Sequence, residues 1–202
     1  MKIYIATGNP AKLANFQELF SKIDPTIKTE MVPQKIEVEE VGQTIAQNSL
    51  LKVLPYKGKY QSTVIANDFG LEFEEKVTEL KAPSKVKRSA LGGKDPSDLE
   101  QHEIGKIMLD YYKSIARKYG GKVACTAHDT FSAIFPDGST KQSHAVREYE
   151  LVDREVREFD IYHPLNSLRI SPKIGRFIDE FSNEDKMKDF EPLIEALREL
   201  VS

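Results

Sequence analysis

A single cysteine, Cys125, is the whole thiol inventory of this chain, so no internal disulfide can hold the fold and stability must come from burial. Its place in an alternating apolar segment predicts a small buried hydrophobe, and its solitude fits a reducing, cytoplasmic setting. Long hydrophobic runs are missing too. No stretch approaches the roughly 20 apolar residues that span a bilayer, and the few apolar residues before Thr7 are too few for a signal peptide. Positive charge is not in excess: the formal net charge is -3, which removes the basic footprint expected of a binder of polymeric DNA or RNA. No GxGxxG follows a strand-like segment, which argues against a dinucleotide oxidoreductase. The four histidines, His102, His128, His144 and His163, lack zinc-ligand spacing, and no catalytic triad is visible.

What remains is a chain of 202 residues, 40% hydrophobic and 30% charged, enough for one large domain or two closely packed lobes. Strand-like and helix-like segments alternate in the first half, which is α/β patterning. Lys2 to Ala6 reads as a strand, followed by a helix to about Ser21 with Leu13, Phe16, Leu19 and Phe20 as its buried stripe. Asn9 is placed to cap that helix and Pro10 to be its first residue. Thr44 and Gln47 form a capping box for a second helix carrying Leu50, Leu51 and Leu54 inward. Ser62 to Ala66 reads as a buried strand entering the loop Asn67-Asp68-Phe69-Gly70, with a further strand from Leu71 to Phe73.

Residues 74–96 read as a long surface loop or lobe connector. Ser97 with Glu100 makes a capping box for a long helix stopped by Gly120-Gly121. Lys122 to Phe135 alternates, with Val123, Cys125, Phe131, Ala133 and Phe135 on one side, and Pro136-Asp137-Gly138-Ser139 turns it into a hairpin. Ser171-Pro172 is expected to cap a helix bearing Ile174, Phe177, Ile178 and Phe181. A last helix is expected from about Glu184 to Val201.

Three polar segments stand at element boundaries: Thr7 to Lys12, Glu40 with Asn48 and Lys52, and Asn67-Asp68. The first should aim free backbone N–H groups, a helix dipole and the Lys12 ammonium at a polyanion such as a phosphate chain. Asn48 and Lys52 lie one helical turn apart and share a face. Were the segments to converge, two lysines and a helix terminus would hold phosphates, with Glu40 and Asp68 as hard oxygen ligands suited to magnesium. Plainer roles compete, since a helix-face lysine is often only solvated and an aspartate before Gly70 can be a turn residue.

These residues resemble the inosine triphosphate pyrophosphatases, the non-canonical purine nucleoside triphosphate pyrophosphatases. Thr7-Gly8-Asn9 with Lys12 is similar to the family's TGNxxK opening. Glu40 through Asn48 and Lys52 is similar to its acidic loop and NAxxKA helix, and Val64 to Leu71 to its IADDSGL segment. Order and spacing agree over roughly the first 73 residues, and Phe131 to Gly138 matches the central hairpin ending in PDG. The departures are specific. Asn67 stands where the family has the first of two adjacent acids, and Arg88 lies one place off the arginine of a loop ending SARYAG. Phe159 or Tyr162 takes the place of an aromatic that stacks on the base. Phe190-Glu191-Pro192 replaces a purine-reading SHR motif, so base selectivity does not transfer.

The resemblance implies one domain over residues 1–202, with a long mixed central sheet, flanking helices, and a cleft between two lobes, the second roughly 74–150. It implies magnesium-dependent hydrolysis of a nucleoside triphosphate to a monophosphate and pyrophosphate, of the kind that removes ITP, XTP or dITP. Asp68 would be the catalytic base and, with Glu40, a metal ligand. Thr7, Gly8, Asn9, Lys12, Asn48, Lys52, Arg88, Phe159 and Tyr162 would bind substrate. A homodimer is compatible with it. Two other readings stay open: a pyrophosphatase for pyrimidine or modified nucleotides, and a nucleotide-binding protein with weak or lost catalysis.

Overall fold

The computed structural model describes residues 1–39, 41–80, 86, 89–161 and 163–202. Among them, strands β1 (Lys2–Ile5), β2 (Lys28–Met31), β3 (Thr63–Phe73), β4 (Lys122–Ile134), β5 (Thr140–Val152), β6 (Arg169–Ser171) and β7 (Arg176–Phe177) form one sheet in the order β2-β1-β3-β4-β5-β6-β7. The sheet is mixed: β1 pairs in parallel with both β2 and β3, while β6 pairs antiparallel with β5 and β7. The main helices are α1 (Pro10–Ile23), α2 (Ile45–Val53), α3 (Gln101–Lys118) and α4 (Asn183–Val201).

Local chemistry sets the helix starts. Asn9 Oδ1 accepts the N–H groups of Ala11 and Lys12 and so caps α1, with Pro10 in its first turn; the missing proline N–H costs nothing there. Thr44 and Gln47 form the expected reciprocal capping box on α2. The third start differs from expectation. Ser97 lies in a short 3-10 turn capped by Asp95, and the box on α3 is made by Glu100 and Glu103. Past the end of α3, Gly120 and Gly121 have φ of +91° and +89°, and the Gly121 N–H returns to Ala116 O at 2.8 Å, a glycine stop.

Two further expectations are corrected. Asn67 to Gly70 is not a loop, because β3 runs without a break from Thr63 to Phe73. Gly70 serves close approach rather than a turn: a Cβ there would come within 2.5 Å of Ile45 Cδ1. The segment after Ser171 is not a helix but the β6–β7 hairpin. Gly175 has φ +78° and its N–H bonds Ser171 O at 2.7 Å, so a tight turn forms before helical bonding can propagate.

The chain forms two compact units. The first comprises Met1–Gly70, His128–Val146 and Asp189–Ser202. On one face of its sheet, Phe16, Leu19 and Phe20 of α1 and Leu193, Leu197 and Leu200 of α4 pack on Ile3, Ile5, Ile65 and Phe131. On the other, Val53 and Tyr56 pack with Val32, Val64, Ala66 and Ile134. The second unit comprises Leu71–Ala127 and Arg147–Lys188, with a core of Leu109, Tyr112, Ile115, Tyr149 and Leu168. Val77, Leu80, Val86 and Leu91 are also buried, so these parts of the expected 74–96 surface loop pack inward. Pro192 lies inside α4 and cannot bond the carbonyl four residues back. That carbonyl, Lys188 O, instead accepts from Lys173 Nζ at 3.5 Å. Among the described residues no helix is long and apolar enough to cross a membrane.

Candidate phosphate-binding site

Parallel pairing places β1 between β2 and β3, and the helices that follow or precede these strands lie on opposite faces. The α1 side chains share a cluster with Ile65, whereas Val53 of α2 shares one with Val64 and Ala66; successive strand residues point to opposite faces. The carboxyl end of β1 is therefore a topological switch point, where open α/β sheets bind ligands. The candidate residues of the first unit collect around it.

On the α1 face, Lys12 Nζ is 3.4 Å from Asn67 Oδ1. On the α2 face, Lys52 Nζ is 2.5 Å from Asp68 Oδ1, with both side chains mostly shielded from solvent. Adjacent residues of one strand thus engage lysines from two different helices. The buried Ser49 hydroxyl fixes α2 in place by bridging Ala66 O at 3.3 Å and Thr130 O at 3.0 Å. This seat sets the height of Lys52 above the sheet.

The Thr7 turn is built differently from the expected open cradle. Thr7 Oγ1 accepts the Asn9 N–H at 3.0 Å, and Asn9 Oδ1 accepts those of Ala11 at 2.8 Å and Lys12 at 3.4 Å. These amides are spent on the turn and the helix cap. An anion placed here would meet the ammonium groups and the helix dipole rather than these three amides. Asn48 is also engaged structurally: its Oδ1 accepts the Gly42 N–H at 2.8 Å and ties down the loop before α2.

Glu40, Arg88 and Tyr162 lie outside the described residues. Phe159 belongs to the second unit, where its ring stacks on His102 at 5.1 Å between centroids. The same ring covers Gly105 of α3, where an added Cβ would come within 2.8 Å of it. Phe190 packs against the first unit's core from within α4.

Residues that the sequence did not bring forward also appear. The Lys35 stem passes Gly8 closely enough that a Cβ there would be 3.2 Å from Lys35 Cδ, which adds a third cation near the turn. Asp129 is buried and its Oδ1 accepts from Asn67 Nδ2 at 3.2 Å. His128 Nδ1 and His144 Nε2 are 3.2 Å apart, and Thr130 Oγ1 is 3.1 Å from His144 Nδ1. Asp129 had a readable signal, a carboxylate at an inward position of an alternating strand. Lys35 had none, because its approach to Gly8 depends on how the 32–39 segment folds back.

Comparison with known proteins adds the wider context. The model of the Ham1 family matches residues 3–118. A Bacillus anthracis protein named dITP/XTP pyrophosphatase is 29% identical over 141 residues, covering 69% of this chain and 65% of that protein. The chain thus spans a little under two thirds of the length of the first such relatives. A Staphylococcus aureus protein of the same name is 26% identical over 186 residues, 92% of this chain and 87% of its own. The solved structure of the Staphylococcus aureus Ham1 protein superimposes with a TM-score of 0.68 at 21% identity, covering 100% of this chain and 98% of that one, and so shares the fold.

Proposed function

The chain belongs to the Ham1 family, and from that premise we propose that it is a nucleoside triphosphate pyrophosphatase that hydrolyses its substrate to a nucleoside monophosphate and pyrophosphate. The observation that carries this reading is the pairing at the switch point: Lys52 on Asp68 and Lys12 on the neighbouring Asn67. Two cations from opposite faces can clamp a triphosphate across the strand end, and a carboxylate beside them can receive the proton of an attacking water. Phosphate oxygens draw Lys52 away from Asp68. That exchange frees the carboxylate when substrate is bound and keeps it paired otherwise. Water adds to the α phosphorus, the bond to the bridging oxygen of the β phosphate breaks, and Asp68 takes the water proton.

The donor chemistry fits magnesium. Among the described residues no group of three or more histidine, cysteine or acidic side chains could hold a metal ion, but magnesium commonly uses only one or two carboxylates and completes its shell with water and substrate phosphates. Asp68 supplies one such oxygen, and Glu40 is the second carboxylate of the proposal. The ion, when bound, offsets charge on the triphosphate. Lys12, Lys35 and Lys52 then position the phosphates, with Thr7, Gly8, Asn9 and Asn48 shaping the turn and loop around them.

The relatives' names suggest dITP and XTP as substrates. A preference for other bases is favoured by one observation, the packing of Phe190 into the core at the place of the family's purine-reading motif. Arg88, Phe159 and Tyr162 remain candidates for nucleoside contact, the setting is cytoplasmic, and a homodimer is compatible with the reading. The test is pyrophosphate release with magnesium from a panel of ITP, XTP, dITP, ordinary purine and pyrimidine triphosphates, with the nucleotide product identified. Monophosphate and pyrophosphate in equal amounts support the proposal. Release of orthophosphate, or no turnover on any substrate, overturns it.

A further inference from the structure

Asn67 has a polar end on each side, and the structure engages both. Its Oδ1 faces Lys12 Nζ at 3.4 Å. Its Nδ2 donates to Asp129 Oδ1 at 3.2 Å and to the Asp68 carbonyl oxygen at 3.2 Å. Only one orientation of the carboxamide satisfies this set. A flipped amide would turn its NH2 toward an ammonium and its oxygen toward a carboxylate and a carbonyl. Asp129 is 8% exposed, in a setting where an anion is retained only with good partners.

From this geometry we propose that Asp129 is a positioning residue for phosphate binding: it locks the Asn67 carboxamide, and Asn67 in turn holds the Lys12 ammonium toward the switch point. This deepens the pyrophosphatase reading and rests on it for the identity of the anion. Asp129 reaches the phosphates only through the other two residues. A lysine has four rotatable side-chain bonds to immobilise, so a fixed acceptor beside its ammonium lowers the cost of ordering it when phosphate arrives. The arrangement also explains why an amide suits position 67. A carboxylate there would lie 3.2 Å from a second, buried one, and like charges that close repel strongly.

The test is a double-mutant cycle on the full chain, with inorganic tripolyphosphate as the probe and calorimetric titration as the readout. Asp129→Ala is expected to weaken tripolyphosphate binding about tenfold in the wild-type background and to change it less than twofold in a Lys12→Met background, because the effect passes through Lys12. In steady-state assays the same substitution should raise KM more than it lowers kcat. Asn67→Asp should weaken binding, and adding Asp129→Asn to it should restore most of the loss, since the hydrogen bond between the two positions is then remade with its direction reversed. This second pair keeps the proposal open to refutation should Asp129→Ala fail to fold.

Equal losses from Asp129→Ala in both lysine backgrounds, or no rescue in the Asn67→Asp/Asp129→Asn protein, overturn the relay and leave the pyrophosphatase reading standing. Tripolyphosphate binding with the expected coupling but no pyrophosphate release overturns the catalytic reading and supports the relay. No tripolyphosphate binding by the wild-type chain overturns both.

Discussion

Lys52 Nζ and Asp68 Oδ1 lie 2.5 Å apart, joining the last turn of α2 to the middle of β3. The pair is intrinsically two-sided, because the same ammonium can hold either the carboxylate or a phosphate. Asp68→Asn keeps an oxygen for Lys52 and nearly the same volume, but removes the proton acceptor. We expect pyrophosphate release to fall by about 10²- to 10⁴-fold, the usual worth of a general base, with tripolyphosphate affinity changed by less than about threefold. Turnover within a factor of two of wild type would remove Asp68 from the chemistry.

Asn9 combines two roles that substitution can separate. Its side chain caps α1, and removing such a cap costs about 1 kcal/mol, within a range of about 0.5–2. Asn9→Ala should therefore lower the melting temperature by about 2–4 °C for a chain of this size. Asn9→Asp preserves the cap, so its melting temperature should match wild type, while the added negative charge at the helix start weakens tripolyphosphate binding. Equal melting losses in both variants would show that the cap contributes little.

The legible parts of the molecule are those governed by neighbours in the chain. The cap at Asn9, the box at Thr44 and Gln47 and the alternation of Lys122 to Phe135 each depend on residues within a few positions, and they reappear in α1, α2 and β4. Gly70 misleads because glycine marks both turns and close approaches, and only the position of Ile45 tells them apart. Ile174, Phe177, Ile178 and Phe181 have helical spacing, yet the turn at Gly175 makes a hairpin of that segment. In the site, Lys12 and Lys52 follow from their helices. The engagement of Asn67 by Asp129 spans 62 positions, and no local pattern encodes such a distance.

Gly42 is confined by close approach rather than by an unusual backbone angle. A Cβ there would stand 2.4 Å from Asn48 Oδ1, 2.8 Å from Gln47 Cβ and 3.0 Å from Asn48 N. Gly42→Ala should cost about 1–3 kcal/mol, the usual range for overpacking, and should displace the loop that Asn48 holds. Adding Asn48→Ala removes the nearest atom and should recover part of the loss. Chemical denaturation of wild type and the two variants measures this, and a Gly42→Ala protein as stable as wild type would contradict the contact.

Cys125 is buried among the second unit's core residues, and burial pushes its thiol up to about 11. The thiolate is the reactive form, so at pH 8 the native chain should resist iodoacetamide, while the chain unfolded in guanidinium should label completely. Mass spectrometry of the two samples gives the answer. Native labelling as fast as that of the unfolded chain would mean that the strand opens readily in this region.

Glu79 offers a test of acid stability with a defined sign. The Lys118 ammonium bonds its carboxylate and the Tyr119 hydroxyl lies 2.9 Å from it, holding its pKa at about 2 against an ordinary 4.5. A carboxylate depressed in the folded state stabilises the fold fully above its unfolded pKa and loses that contribution as pH falls through the folded value. The melting temperature of wild type should therefore exceed that of Glu79→Gln at pH 6, with the gap closing between pH 4.5 and about 2. The group is near the surface, so the gap should be small and should shrink in high salt, where exposed ion pairs are screened. A gap that widens on acidification would reverse the sign and show that Glu79 is better accommodated in its protonated form.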